Sequence, residues 1–293
     1  MTIFSELKSL FQHNFSLVKY NLILTMPFFA FWLVLGFVLA PLSSARAGNG
    51  VFFTLFLILA LKAAFLSGWL NMFKKCVETS VDQNLPDEKR TADSFWLFRE
   101  FFPGVGKYFG KMILGLSIYF ILFNIMMLTV EMTIIPIFGA FESFSPQDMI
   151  NSMESHDKVL AFWKTISDSD KLKIFKIVGF ECIFMFMFFY LTMFWSQLLI
   201  LTEISPLRSF VASIKAIIRD FAKTFPVFFL NLSLILTIFF IGVIMVMNPI
   251  IKLVTILLFV YSLISYVMMT FLYLEKYGKI EKTNCASRTD CLG

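Results

Sequence analysis

One lysine, Lys62, stands eleven residues into the apolar stretch Val51–Met72, which is otherwise uncharged. A lysine near the centre of a bilayer costs about 2.5 to 3.5 kcal/mol on insertion scales, so its ammonium should face protein, water or an acid. Two acids come from stretches of the same kind, Glu131 and Glu181, and Asn124 lies at a comparable depth. These four residues predict an intramembrane polar site for an anionic headgroup, a proton or a small solute. The alternative is a structural ion pair, or a lysine that extends toward the interface.

Other residues that could do chemistry are scarce. His13 and His156 are the only histidines, so a histidine metal centre or a Ser-His-Asp triad lacks its material. The segment Asp168–Asp170 lacks the glycine and the distal glutamate of a calcium loop, and we expect Asp168 or Ser169 to cap a helix. Without a glycine-rich phosphate loop, an ATPase is excluded. We expect no enzyme activity, no cofactor and no metal. The four cysteines form no CxxC motif and predict no disulfide framework: Cys76, Cys182, Cys285 and Cys291.

Six apolar stretches of roughly twenty residues must position the residues of the predicted polar site. Hydrophobic residues make up 58% of the chain and charged residues 15%, against about 25% charged in a soluble domain. Stretches of this length predict transmembrane helices. We therefore expect one all-α membrane domain of six helices over residues 1–278, with an outer loop at 131–176 and a flexible tail at 279–293. The predicted spans are Tyr20–Leu42, Val51–Met72, Met112–Val130, Ile177–Ile200, Pro226–Met247 and Ile250–Leu274.

Lysine and arginine residues are concentrated on alternate connections, with 17 on one side of the predicted membrane and 7 on the other. The positive-inside rule therefore predicts that both termini are cytoplasmic, in the inner or plasma membrane. The same rule accounts for the net charge of +5 without a nucleic-acid partner. Ala45–Ala47 resembles a signal-peptide cleavage site. However, the preceding apolar run exceeds an h-region of about 7 to 15 residues, so we expect the first span to be retained.

Amphipathic segments precede the odd-numbered spans. One covers Ile3–Val18, and a weaker one covers Phe95–Phe109, where we expect Pro103 and the following glycines to break the helix. The third follows Ser205-Pro206, a predicted N-cap and first-turn proline. We expect its apolar side to lie opposite Ser209, Ser213, Arg219, Asp220 and Lys223. That apolar side consists of Phe210, Val211, Ile214, Ile217, Ile218 and Phe221.

The three segments end in Lys19-Tyr20, Lys107-Tyr108 and Lys223-Thr224, each followed by a span. The chain therefore reads as three repeats of an interfacial helix and a transmembrane hairpin. Alternatively, any connection that touches lipid must be amphipathic, and the likeness needs no duplication. With these residues, the chain resembles the bacterial six-helix YciC-like membrane proteins and the membrane domain of glycerophosphoryl diester phosphodiesterases. No catalytic residue is implied by the resemblance.

The predicted outer loop contains two short helical patterns. Ser145–Asp148 opens like a capped helix, and Val159, Leu160, Trp163 and Ile166 suggest a second one. The loop could be a lid or a binding surface, or a solvated helical hairpin. The spacing Gly106–Gly110 lies at the interface, so we do not expect close packing of helices through glycine.

These patterns favour a non-enzymatic membrane protein that organises lipid or partner membrane proteins through its in-plane helices. The alternative is a transporter or permease subunit that uses the region around Lys62. Membrane lipids are the expected partners, other membrane proteins are a second option, and no nucleic acid is expected. The sequence leaves the oligomeric state open.

Overall fold

The computed structural model describes residues 3–39, 50–80, 94–139, 141–152, 155–244 and 249–277, and all regular structure in these ranges is helical. The all-α prediction is thus confirmed for the described residues. In chain order the helices are α1 (Ile3–Tyr20), a 3-10 helix (Leu22–Thr25), α2 (Met26–Leu39), α3 (Gly50–Ser80), α4 (Ser94–Arg99), α5 (Phe101–Phe138), α6 (Pro146–Ser152), α7 (His156–Thr165), α8 (Asp168–Leu191), α9 (Trp195–Thr202), α10 (Pro206–Arg219), α11 (Phe221–Ile244) and α12 (Pro249–Tyr277).

Five helical segments among the described residues are long and apolar enough to cross a membrane. A sixth is formed if α1 and the helices after it count as one span, but the chain bends there by 79°. The protein is therefore compatible with a multi-pass membrane protein of five or six spans. The predicted cleavage-like site at Ala45–Ala47 and the predicted tail at 279–293 lie outside the described residues. The five segments are Phe53–Thr79, Phe101–Phe138, Asp168–Thr202, Phe221–Gly242 and Ile250–Tyr277.

The helices form two compact units, one from residues 1–118 with 191–293 and the other from Tyr119–Tyr190. In the first unit the core surrounds one half of α12. Residues 268–274 of this helix are all buried, whereas residues 250–258 are exposed apart from Thr255. Aromatic rings fill the buried half: Phe271 stacks on Phe73 at 6.1 Å, and Tyr273 stacks on Phe194 at 5.4 Å. The exposed half presents an apolar surface suited to lipid.

Hydrogen bonds join helices of the first unit that are far apart in sequence. The Trp69 indole donates to the carbonyl of Leu24 at 2.8 Å, and the Gln197 amide donates to Thr270 at 3.0 Å. The Asn14 amide of α1 donates to the Ser265 hydroxyl at 2.7 Å. Side-chain hydrogen bonds of this kind between apolar helices specify which faces meet.

Glycine does mediate close helix packing, so our expectation was wrong on this point. A Cβ on Gly104 would lie 2.5 Å from the Cβ of Asn71, and one on Gly68 would lie 2.8 Å from the carbonyl oxygen of Phe101. The two glycines belong to α5 and α3, so no spacing within one helix reveals them. Gly106 and Gly110, the pair with the expected spacing, have open space beside them.

The amphipathic segment before the third span is interrupted earlier than we predicted. A turn at Glu100 separates α4 from α5, and α5 then continues through Pro103 and Gly104. Proline is tolerated there because the first turn of a helix has no intrahelical acceptor for its N–H groups. With 38 residues, α5 is about 57 Å long, well beyond the roughly 30 Å of hydrocarbon in a bilayer.

The second unit contains the loop between α5 and α8, and both predicted loop helices are confirmed. Ser145 and Asp148 form a reciprocal cap at the start of α6, with the Ser145 N–H donating to the Asp148 carboxylate at 2.9 Å. Ser155 caps α7. The expected cap at Asp168 or Ser169 is corrected, because Ser167 precedes α8 and its hydroxyl accepts from the backbone N–H of Asp170 at 3.2 Å.

Asp170 holds the loop of the second unit in place. Its side chain is fully buried, and its carboxylate accepts from the Ser143 N–H and hydroxyl at 2.7 Å and from the Glu142 N–H at 3.0 Å. Lys173 forms an ion pair with the same carboxylate at 3.2 Å. These contacts satisfy a buried charge and give Asp170 a structural role.

Candidate functional site

The four residues of the predicted intramembrane polar site are distributed over both units. Lys62 belongs to the first unit and is exposed, whereas Asn124, Glu131 and Glu181 belong to the second. The Asn124 amide donates to the carbonyl of Phe120 in its own helix at 2.7 Å. Glu131 belongs to α5 and Glu181 to α8, two helices whose aromatic rings meet at Phe138 and Phe180. The joining of these residues, and of Lys62, into one polar site stays a prediction.

Helix α10 carries three distinct stripes along its length. Successive residues of an α-helix are about 100° apart, which places one exposed apolar stripe within an arc of roughly 60°. An exposed basic stripe is centred about 90° away. The third stripe is buried against the first unit, nearly opposite the basic one. The apolar stripe is Leu207, Val211, Ile214 and Ile218, the basic stripe is Arg208, Lys215 and Arg219, and the buried stripe is Pro206, Ser209, Phe210, Ser213 and Ile217.

The buried stripe corrects our prediction that Ser209 and Ser213 face away from the apolar side. Both are fully buried, and their hydroxyls donate to the carbonyls of Pro206 at 2.6 Å and of Leu191 at 2.9 Å. Small hydroxyl side chains allow α10 to pack closely on its neighbours while satisfying backbone carbonyls. Large apolar side chains are therefore left on the outer surface of the helix. The predicted cap residue Ser205 does precede α10, but its side chain makes no capping hydrogen bond.

A group of charged and tyrosine side chains, which we call the Glu203 cluster, lies just before α10 and consists of Lys74, Lys107, Tyr108, Lys111 and Glu203. The Glu203 carboxylate accepts hydrogen bonds from the Lys107 ammonium and, at 3.1 Å, from the Tyr108 hydroxyl. The Lys74 ammonium lies 3.6 Å from the same oxygen. Lys111 donates to the backbone carbonyl of Glu203. Two ammonium groups thus contact the Glu203 carboxylate, and a third binds the backbone carbonyl of the same residue.

Glu203 adopts a left-handed backbone conformation, with φ of 56° at the end of α9. Such a conformation costs a non-glycine residue roughly 1 to 2 kcal/mol and persists where surrounding contacts hold it. Here the lysines bind carbonyls at this helix end, since Lys74 also donates to Ile200 at 3.2 Å. The hydrogen bond from Lys107 is the main reason why the pKa of the Glu203 carboxyl is below its ordinary value, although partial burial acts in the opposite direction.

A second group, the Glu6 cluster, contains Glu6, Lys223 and Tyr277. The Glu6 carboxylate accepts from Lys223 at 3.0 Å and from the Tyr277 hydroxyl at 3.2 Å. The Lys223 ammonium lies 4.5 Å from the centre of the Tyr277 ring. These residues come from α1, α11 and α12, so the cluster joins the first helix of the chain to the last two.

Sequence reasoning singled out Lys107-Tyr108 and Lys223 only as the ends of amphipathic segments. The acids that bind them were not recognised as partners, because Glu203 is 96 positions from Lys107 and Glu6 is 217 positions from Lys223. The sequence contains one signal of this site. The residue after α9 is Glu203, whereas glycine is the usual residue after a helix.

No protein-family model matches the chain, and neither a curated protein nor a solved structure matches it significantly. The resemblance to YciC-like membrane proteins therefore remains a prediction from the sequence.

Proposed function

We propose that the protein is a non-enzymatic membrane protein that binds lipid through α10 at the cytoplasmic surface and thereby organises lipid or partner membrane proteins. The observation that carries this proposal is the exposed apolar stripe beside the exposed basic stripe on α10.

The apolar stripe is unsuited to water. Ile218 is 69% exposed and Leu207 is 60% exposed, although α10 is a short helix docked on a packed unit. Burial of apolar surface is worth about 25 cal/mol per Å², so four large side chains in a row favour contact with acyl chains. Lipid is the partner that this stripe fits directly in a protein with several apolar spans.

The basic stripe of α10 also points in the direction expected for a helix that lies at the membrane surface. If the apolar stripe points into the membrane, a stripe about 90° away points sideways, at the level of the headgroups. Arg208 and Lys215 would then reach lipid phosphates, whereas Arg219 also binds Asp220 at 2.9 Å. The buried stripe on the remaining side holds the helix against the first unit, which supports an in-plane position for α10.

The depth of neighbouring side chains in the membrane tests this proposal. Ile218→Cys and Lys215→Cys are made in a protein with Cys182, Cys285 and Cys291 replaced by serine, and each is labelled with an environment-sensitive fluorophore in lipid vesicles. We expect brominated acyl chains to quench the label at position 218, and aqueous iodide to quench the label at position 215. Equal iodide quenching at both positions, without quenching by brominated chains, would contradict the proposal.

A transporter or permease subunit is the second candidate, favoured by the presence of Glu131 and Glu181 on two apolar helices that contact each other at Phe123–Phe188 and Phe138–Phe180. Acids within spans commonly mark proton or ion pathways. We expect Glu181→Gln and Lys62→Leu to reduce proton flux in vesicles that contain a pH-sensitive dye. Wild-type flux no greater than that of protein-free vesicles would remove this candidate.

A further inference from the structure

The Glu203 cluster has more positive than negative charge. Its three lysines contact one glutamate, which leaves two formal positive charges without a carboxylate among the residues that the structure describes. The neighbouring acid Glu78 pairs with Lys75 at 2.9 Å. Ammonium groups held together at a partly buried position repel one another unless an anion joins them.

Tyr108 fixes two of these ammonium groups. Its side chain is 1% exposed, and its ring centre lies 5.1 Å from the Lys107 nitrogen and 5.9 Å from the Lys74 nitrogen. Lys74 also donates to the Tyr108 hydroxyl at 3.3 Å. The ring and hydroxyl therefore hold both cations before any ligand arrives, which lowers the entropic cost of binding an anion.

The cluster is accessible from the membrane surface. The Lys107 side chain is 55% exposed, and Glu203 precedes Leu207, the first residue of the apolar stripe, by only four positions. Four residues span at most about 13 Å of chain. A lipid whose acyl chains contact this stripe can therefore place its headgroup at the cluster.

We infer that the Glu203 cluster binds a phosphate monoester, presented by a lipid of the phosphatidic acid type. This inference rests on the proposed contact of α10 with lipid. A phosphate monoester carries about −1.5 to −2 charges near neutral pH, which matches the surplus of two, whereas a phosphodiester headgroup carries a single negative charge. Lysine ammonium groups bind phosphate oxygens through short, charge-assisted hydrogen bonds.

Native mass spectrometry of the full-length protein in detergent tests the inference, with short-chain phosphatidic acid, phosphatidylglycerol and inorganic phosphate as probes. We expect phosphatidic acid to bind at least about tenfold more tightly than phosphatidylglycerol, and Lys107→Gln to weaken its binding about tenfold. Lys75→Gln removes a neighbouring lysine that pairs with Glu78 and is the matched control, expected to change binding less than twofold. Lys107→Arg should retain binding, which separates loss of charge from loss of folding.

Each outcome is decisive. Binding of inorganic phosphate as tightly as the lipid supports the phosphate site but assigns it to a soluble ligand. Equal binding of both lipids, or an equal loss of affinity in Lys75→Gln and Lys107→Gln, overturns the inference. If the label at position 218 is quenched by brominated chains while phosphatidic acid shows no preference, the proposed function stands and the phosphate site fails. If phosphatidic acid is preferred but the label at position 218 is not quenched by brominated chains, the phosphate site stands and the proposed function fails.

Discussion

The Glu203 cluster and the Glu6 cluster use the same three kinds of side chain but differ in charge balance. In both, a glutamate accepts from a lysine and from a tyrosine hydroxyl, and a lysine lies over the tyrosine ring. In the Glu6 cluster one lysine hydrogen-bonds the glutamate, and Lys276, outside the cluster, lies 5.4 Å from the centre of the Tyr277 ring. The Glu203 cluster has three lysines, and its glutamate is held in a left-handed conformation.

This difference separates a structural contact from a binding site. The pair of Glu6 and Lys223, which joins α1 to α11, matches one carboxylate with one hydrogen-bonded ammonium group. A surplus of ammonium groups over carboxylate, held on a buried ring, is incomplete until an anion binds. Similar residues can therefore have a structural role at one position and a binding role at another.

The largest expected effect contrasts the two tyrosines. Tyr108→Ala removes a buried ring beneath two ammonium groups and should lower the free energy of unfolding by about 3 kcal/mol. Tyr277→Ala removes a half-buried ring and should cost less than half as much. Unfolding in a denaturant series in detergent measures both free energies. Equal losses would show that the two tyrosine rings contribute equally to stability.

The second contrast concerns the glutamates. Glu203→Gln leaves the ammonium groups of Lys74 and Lys107 without their carboxylate, with Lys111 close by, and should destabilise the protein by about 1 kcal/mol at low ionic strength. Added salt should recover part of this loss, because it screens the repulsion between the lysines. Glu6→Gln leaves one lysine in its cluster and should show a weaker dependence on salt. Thermal unfolding at low and high salt compares the two variants, and identical salt responses would contradict the surplus of charge.

Helix type and apolar character could be predicted from the sequence because they depend on local patterns. The expected spans from Met112 and Ile250 lie within helices, and the reciprocal cap at Ser145 and Asp148 forms as its spacing indicates. Such features follow from hydrophobic periodicity and from residues a few positions apart.

The stripes of α10 and the two clusters could not be predicted in full, because they depend on which face meets a distant helix. Ser209 and Ser213 look like solvent-facing residues, yet both are buried, and the Ser213 hydroxyl contacts the backbone of Leu191 and Phe194. The partner of Lys107 becomes recognisable only after the end of α9 is brought beside α5. Contacts between residues distant in sequence carry no local pattern.

The thermal stability of the protein should depend on pH more strongly with the Glu203 carboxyl than without it. Because Lys107 lowers the pKa of the Glu203 carboxyl, the resulting stabilisation is fully present above the ordinary glutamate pKa of about 4.3. It is lost as the pH falls through the lowered pKa of the folded state. Wild-type protein should therefore lose more thermal stability than Glu203→Gln between about pH 6 and pH 3.5. The effect should be small, since the Glu203 side chain is 43% exposed, and parallel pH profiles would contradict it.

The smallest expected effect tests whether the surplus of charge is local. Lys75 follows Lys74 in α3 and pairs with Glu78 at 2.9 Å, three positions along the same helix, with both side chains partly exposed. Exposed pairs of this kind contribute a few tenths of a kcal/mol, so Lys75→Gln should shift the unfolding midpoint only slightly. Wild type and Glu203→Gln should differ in how strongly their thermal stability depends on salt. Lys75→Gln should leave the size of that difference unchanged. If Lys75→Gln reduces that difference, the positive charge is shared across the end of α3, and the Glu203 cluster is not a separate site.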